Sequence, residues 1–159
     1  MSDAGRFNGW ADVPLNERGR AQGFALRERL HSTYDGVWSS DLSRSTETAA
    51  VALMTATADE RLRELDFGDL EGKKWEDCPS EVRRALLEFD SFVAPGGEST
   101  ARLRARVVDF VSSIGDGRHL LFTHGGVIRL VLRAHGIESR VLPGEMVELE
   151  VALDVLTRG

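Results

Sequence analysis

The alternation of apolar and polar positions changes period several times along the chain, and each change marks an element. After a polar opening, SDAGRFNGWADVP, Asn16 stands where a helix cap belongs. The spacing predicts a helix over 17–31 with Ala21, Phe24, Ala25 and Leu30 near one face. The apolar pair Val37-Trp38 then ends in Ser39-Ser40-Asp41, the pattern of a buried strand passing directly into a helix over 42–54, capped by Ser40 or Asp41. The stretch RLRELDFGDLEGKKWEDCPS carries two glycines, a proline and few periodic apolar positions, and reads as a functional loop region. A helix over 80–89 follows, then the turn Pro95-Gly96-Gly97. A longer helix over 99–114 has Leu103, Val107, Val111 and Ile114 as its core face. A strand over 119–123, a helix over 127–134 and a stop at Gly136 come next, and the terminal VELEV alternates as a half-exposed edge strand does.

Helices alternating with short buried strands define an α/β protein, a three-layer α/β/α sandwich with a mostly parallel sheet. No repeat or linker divides the 159 residues, so residues 1–159 read as a single domain, long enough to bury about 70% of the unfolded surface in one core. No apolar run is long enough to span a bilayer, and the start does not resemble a signal peptide, so no membrane partner is expected. Cys78 is the only cysteine, which excludes an internal disulfide and a zinc pattern and points to a reducing cytoplasm. A net charge of −6 opposes nucleic-acid binding, so an anionic ligand would need a local basic pocket.

In open α/β sheets ligands bind beyond the carboxyl ends of the strands. SSDLSR puts Arg44 in the first turn of a helix leaving one strand, and FTHGG puts His124 on the tip of another. Gly125 and Gly126 leave amides uncovered at a helix start, where an anion is favoured. Taken singly, such a histidine is more often structural and such an arginine solvated, and Glu64 is one acid among many. Glu64 stands out because it lies between Leu62 and Leu65 in a segment otherwise set to pack. His31, His119 and His135 have capping or surface explanations, and Trp75, Phe89 and Phe92 read as packing residues.

Read in order, GRFNGWADVPLNERGRAQ, SSDLSRSTETA, LRELDFGDLEG, PGGES and FTHGGVIR resemble the histidine phosphatase superfamily, which includes cofactor-dependent phosphoglycerate mutases. The RELDFG…EG and PGGES pair looks most like its small phosphatases of the α-ribazole phosphatase type. The resemblance implies a phosphoglycerate mutase-like fold and phosphoryl transfer through a phosphohistidine. It places Glu64 as proton donor and His124 as the second histidine, the catalytic pair. It also implies substrate contacts from Arg44, from Asn8 and Gly9 in the early loop, and from the Gly125 amide. No metal or other cofactor is implied, because arginines and imidazoles supply the positive charge. The expected partner is a small phosphorylated metabolite or inorganic phosphate. Phosphosugar, nucleotide-like and glycerate substrates all fit, and the terminal strand leaves room for a homodimer.

One element of the family pattern has no counterpart. A central first strand ending in Arg-His-Gly, carrying the nucleophile and the first arginine, is implied just before the GRFNGW loop, where only Met-Ser-Asp-Ala stands. Arg118-His119 lies at the wrong end of its strand. The resemblance thus implies a sheet lacking that strand, its neighbours left with unpaired edges. A start set too late, a lost strand and a non-catalytic descendant are the readings this opens. The function classes carried forward are a phosphomonoester phosphatase, a pseudoenzyme that keeps the anion cradle, and an interaction scaffold.

Overall fold

Val37 and Trp38 point to opposite faces of strand β1 (Gly36–Ser39), as a period of two requires, and each face has found a helical layer. In the computed structural model, which describes residues 5–138 and 141–157, β1 is the middle of a three-stranded sheet. Strand β2 (Thr57–Ala58) pairs on one side and β3 (His119–Phe122) on the other, both parallel, with Val37 opposite Leu120 and Trp38 opposite Leu121. One layer consists of α1 (Glu17–Ala25), with its 3-10 extension Leu26–Arg29, and α2 (Ser43–Val51); Leu26, Ala49 and Ala52 meet Leu120 and Phe122 there. The other layer holds α3 (Ser80–Glu88), α4 (Thr100–Ile114), α5 (Gly125–Ala134) and the short α6 (Leu153–Thr157). There Leu103, Val107, Val127 and Leu130 close on Phe7, Leu65, Phe67, Phe89 and Phe92, while Phe110 meets Trp38 edge to face at 5.6 Å. The three-layer α/β/α expectation therefore holds.

The order β2-β1-β3 fixes where a site belongs. From β1 the chain crosses to β2 through α2 on one face, then returns past β1 to β3 through α4 on the other. The loops leaving β1 and β3 set out from that reversal, the place where open α/β sheets bind their ligands.

Local signals match the structure where the partner is near in sequence. Asn16 caps α1 by accepting from the Gly19 amide, Ser99 caps α4 by accepting from Arg102, and Gly136 follows α5 at φ +72°. Phe89 and Phe92 are core residues, and Trp75 packs on Phe7.

Four expectations change. The buried side of α1 is Gly23 and Leu26, not Ala21, Phe24 and Ala25: Phe24 is 60% exposed with the Arg27 guanidinium stacked on its ring. A Cβ on Gly23 would already touch Val51, so α1 and α2 approach through a glycine that no hydrophobic pattern marks. The cap of α2 is not Asp41. Asp12, across 31 residues, accepts from the Ser43 amide and hydroxyl at 2.7 Å each, while Asp41 is bound by Arg63. The Ser40 hydroxyl reaches only the Leu42 amide, at 3.3 Å. Strand β2, two exposed residues, had no pattern to announce it. Finally, 147–151 form no strand. Strand β3 carries no ladder on its side away from β1 among the described residues, and without a neighbouring strand VELEV has no hydrogen-bond template. Residues before Gly5, where the Arg-His-Gly strand was sought, lie outside the described residues.

Candidate active site

The carboxyl ends of β1 and β3 gather the residues singled out for chemistry. His124 ends β3 and occupies the cap position of α5, with extended backbone (φ −124°, ψ 166°), so its side chain stands where the strand stops and the helix begins. Arg44, in the first turn of α2, reaches across to it, and its Nε donates to His124 Nδ1 at 3.3 Å. The other guanidinium nitrogens donate to backbone carbonyls of the early loop: Gly9 at 2.6 Å, Ala11 at 3.0 Å and Asn8 at 3.4 Å. Asn8 and Gly9 thus meet the site through their peptide groups.

The same loop is held from its amide side by a residue the sequence reading left without a role. Glu71 accepts from the amides of Gly9 (2.9 and 3.0 Å), Trp10 (3.0 Å) and Phe67 (3.1 Å). Loop 8–11 is gripped between a guanidinium on its carbonyls and a carboxylate on its amides. Gly9 is required there, because a Cβ would fall 2.2 Å from Glu71 Oε1 and 2.3 Å from the Leu65 carbonyl oxygen. The LEG sequence was the available signal, although a contact 62 residues away leaves no mark on local periodicity.

Glu64 is buried, and its carboxylate accepts from the Gly126 amide at 3.0 and 3.1 Å and from its own neighbour Leu65 at 2.8 Å. Glu64 therefore binds the amino terminus of the helix that His124 caps, through the N–H of Gly126. Of the two glycines, Gly126 contributes the bound amide. Gly125, the residue assigned a substrate contact, is the exposed one, and a Cβ added there would lie an ordinary 3.8 Å from Glu64 Oε2.

Electrostatics set the protonation of the imidazole. Burial first, then the charges of Arg44 and Arg106, hold His124 well below its ordinary 6.5, so the ring is neutral. With Nδ1 accepting from Arg44, the proton belongs on Nε2, and that nitrogen is buried with no hydrogen-bond partner among the described residues. A buried N–H donor without an acceptor is costly, and an oxyanion would satisfy it. Burial also lowers Arg44 from the ordinary arginine range, with Glu64, Asp12 and Glu71 opposing; it stays a cation. The remaining histidines lie elsewhere: His31 meets Glu148, His119 Nδ1 accepts from Trp38 at the amino end of β3, and His135 contacts the Val131 carbonyl.

A guanidinium, a neutral N–H-bearing imidazole and a carboxyl group thus converge at strand ends beside a helix start in an α/β sandwich. The chain belongs to the histidine phosphatase superfamily (branch 1), whose family model matches residues 1–143. A crystal structure of phosphoglycerate mutase from Thermus thermophilus shares 42% identity and a TM-score of 0.83, covering 89% of this chain and 81% of that one. A structure from Escherichia coli, described as a candidate alpha-ribazole-5′-P phosphatase, shares 28% identity and a TM-score of 0.70 over 84% of this chain and 73% of that one. Metal-independent phosphoserine phosphatase of Arabidopsis thaliana is 33% identical over 144 residues, 80% of this chain and 60% of the relative, so this chain spans about three fifths of that protein's length. No helix among the described residues is long and apolar enough to cross a membrane.

Proposed function

We propose that this chain carries the phosphate-holding and proton-donating part of a phosphomonoesterase for small metabolites. The observation that carries the reading is the convergence of Arg44, His124 and Glu64, two of them hydrogen-bonded to each other and the third anchored on the helix that His124 caps. In this reading Arg44 and the His124 Nε2–H hold phosphoryl oxygens and stabilise the charge that builds on them. The N–P bond of this chemistry needs an attacking imidazole that none of the four histidines of this sequence supplies; as it formed in line and the ester P–O bond broke, the leaving alkoxide would take the proton of the Glu64 carboxyl group. Water then adds to phosphorus, returning a proton to Glu64, and the N–P bond breaks to release orthophosphate. The kinship with a phosphoserine phosphatase supports an ester of a small hydroxylated metabolite.

His124 is the only imidazole at the site among the described residues, which favours a second reading: an anion-binding module without turnover. One set of measurements separates the two. Phosphate or vanadate binding to the purified chain, seen by calorimetry and lost in Arg44→Ala, is expected under both, and its absence sinks both. Hydrolysis of an alkyl phosphate, lost in Glu64→Gln, supports the phosphatase; binding with no release of orthophosphate supports the module.

A further inference from the structure

PGGES supplied no side chain to the site described above, yet its glutamate is among the most buried charges in the molecule. The Glu98 side chain is 8% exposed and accepts from Arg106 of α4 through both oxygens, at 2.8 and 2.9 Å. The remaining Arg106 donors go to backbone carbonyls: Nη1 to Arg61 and Arg63, 2.6 Å each, and Nη2 to Glu64 at 2.9 Å. A guanidinium has five N–H groups, and all five are spent here, two on Glu98 and three on the segment leading into Glu64. Glu98 completes the grip from the other side. Its carboxylate accepts from the Asp66 amide at 3.3 Å, and its own amide donates to the Asp66 carbonyl at 2.9 Å.

Residues 64–67 belong to no helix or strand, so no ladder fixes them. Their placement comes from α4, a fifteen-residue helix whose Leu103, Val107 and Phe110 are sealed in the core on either side of Arg106. The Glu64 carbonyl also accepts from the Trp10 indole at 2.9 Å, which ties the clamp to loop 8–11. A buried ion pair is poor evidence for stability, since apolar residues of similar volume often serve as well. What apolar residues could not do is gather three carbonyls and leave the Glu64 carboxylate aimed at Gly126.

We propose that Arg106, oriented by Glu98, is a positioning residue for Glu64: it holds the Glu64 backbone so that the carboxylate stays on the amino terminus of α5 beside His124. This rests on the reading of Glu64 as proton donor. The clamp itself is tested without turnover. By NMR, Arg106→Gln should raise hydrogen exchange of the Gly126 amide and the Trp10 indole about tenfold or more, with amides inside α2 and the distal half of α5 unchanged. Arg106→Lys keeps the charge but offers three donors from one atom, and should restore the two sites only in part. Glu98→Gln should loosen the same pair. Unchanged Gly126 and Trp10 exchange in a folded Arg106→Gln or Arg106→Lys protein overturns the proposal, as does acceleration of all amides together, which marks a stability role alone. If Arg106→Gln does not fold, Arg106→Lys decides. The response of Gly126 and the binding of phosphate are separate readouts: local loosening in a chain that never binds phosphate keeps the clamp and removes the phosphatase reading.

Discussion

Gly126 and Glu64 occupy each other's space: the amide of one lies within hydrogen-bond reach of both carboxylate oxygens of the other, and a Cβ on Gly126 would sit 2.1 Å from Glu64 Oε1. Its neighbour Gly125 has no such conflict, the nearest atom being 3.8 Å away. Two adjacent glycines should therefore respond in opposite ways. Alanine at 126 has to push a buried acid aside and should cost about 1–3 kcal/mol. Alanine at 125, in a helical first turn, should be neutral or gain up to about 1 kcal/mol. Urea unfolding of the two single variants checks this, and equal midpoints would refute the steric account.

Arg44→Lys should weaken phosphate binding by about tenfold or more. Lysine keeps the charge but cannot bind the His124 ring, three loop carbonyls and an oxyanion from one planar fork. A calorimetric titration showing undiminished affinity would mean that charge alone suffices.

Glu71→Gln should free the early loop. The glutamine amide turns donors toward the amides of Gly9, Trp10 and Phe67, and each hydrogen bond to a charged group is worth about 1.5–3 kcal/mol. Exchange at Gly9 and Trp10 should rise while the Asn16 cap, measured at Gly19, keeps its protection. Rigid Gly9 and Trp10 amides in the variant would show that Arg44 holds the loop unaided.

His124 imposes a pH dependence whose sign follows from its depressed pKa. Below the ordinary 6.5 the unfolded chain binds a proton that the folded chain refuses, so stability falls as pH drops below that value, until the folded imidazole itself titrates. Asp12, held below 3.8 chiefly by the Ser43 hydroxyl, and Asp59, held below it chiefly by Arg61, act lower on the scale. Their stabilisation is complete above the unfolded value and is lost as pH falls through the folded one. In denaturant titrations across the acid range, His124→Asn should flatten the first limb and leave the second. An unaltered first limb would assign it to another group.

Leu103→Ala, in the fully sealed middle of α4, should cost about 2–5 kcal/mol by opening a cavity in the core cluster that also holds Phe92 and Leu130. A smaller loss in thermal unfolding would show that this layer collapses into the space.

The parts of this molecule legible in its sequence are those whose physics is local. Asn16 and Ser99 cap helices through atoms three residues away, and the SSDLSR and FTHGG turns put Arg44 and His124 at strand tips because a strand ending in a helix does so anywhere. Asp12 capping α2, Glu71 under loop 8–11 and Arg106 behind Glu64 are contacts spanning 31 to 62 residues, and a charged side chain looks the same in sequence whether solvated or clamped. Gly23 escaped notice for a related reason: a glycine buried between helices carries no apolar side chain for hydropathy to register. VELEV failed in the opposite direction, since alternation states a capacity to pair and leaves the partner unspecified.

The grip of Arg44 on loop 8–11 bears on selectivity. The guanidinium is solvated by peptide oxygens, so an arriving anion competes with the protein's own carbonyls rather than with loosely held water. A weakly basic monoanion offers little beyond what those carbonyls already give, whereas a phosphoryl dianion, with several oxygens for both Arg44 and the His124 N–H, offers more than it displaces. Under the proposed reading of Arg44 and His124, exchange against an internal competitor would make the resting loop a filter on charge and shape.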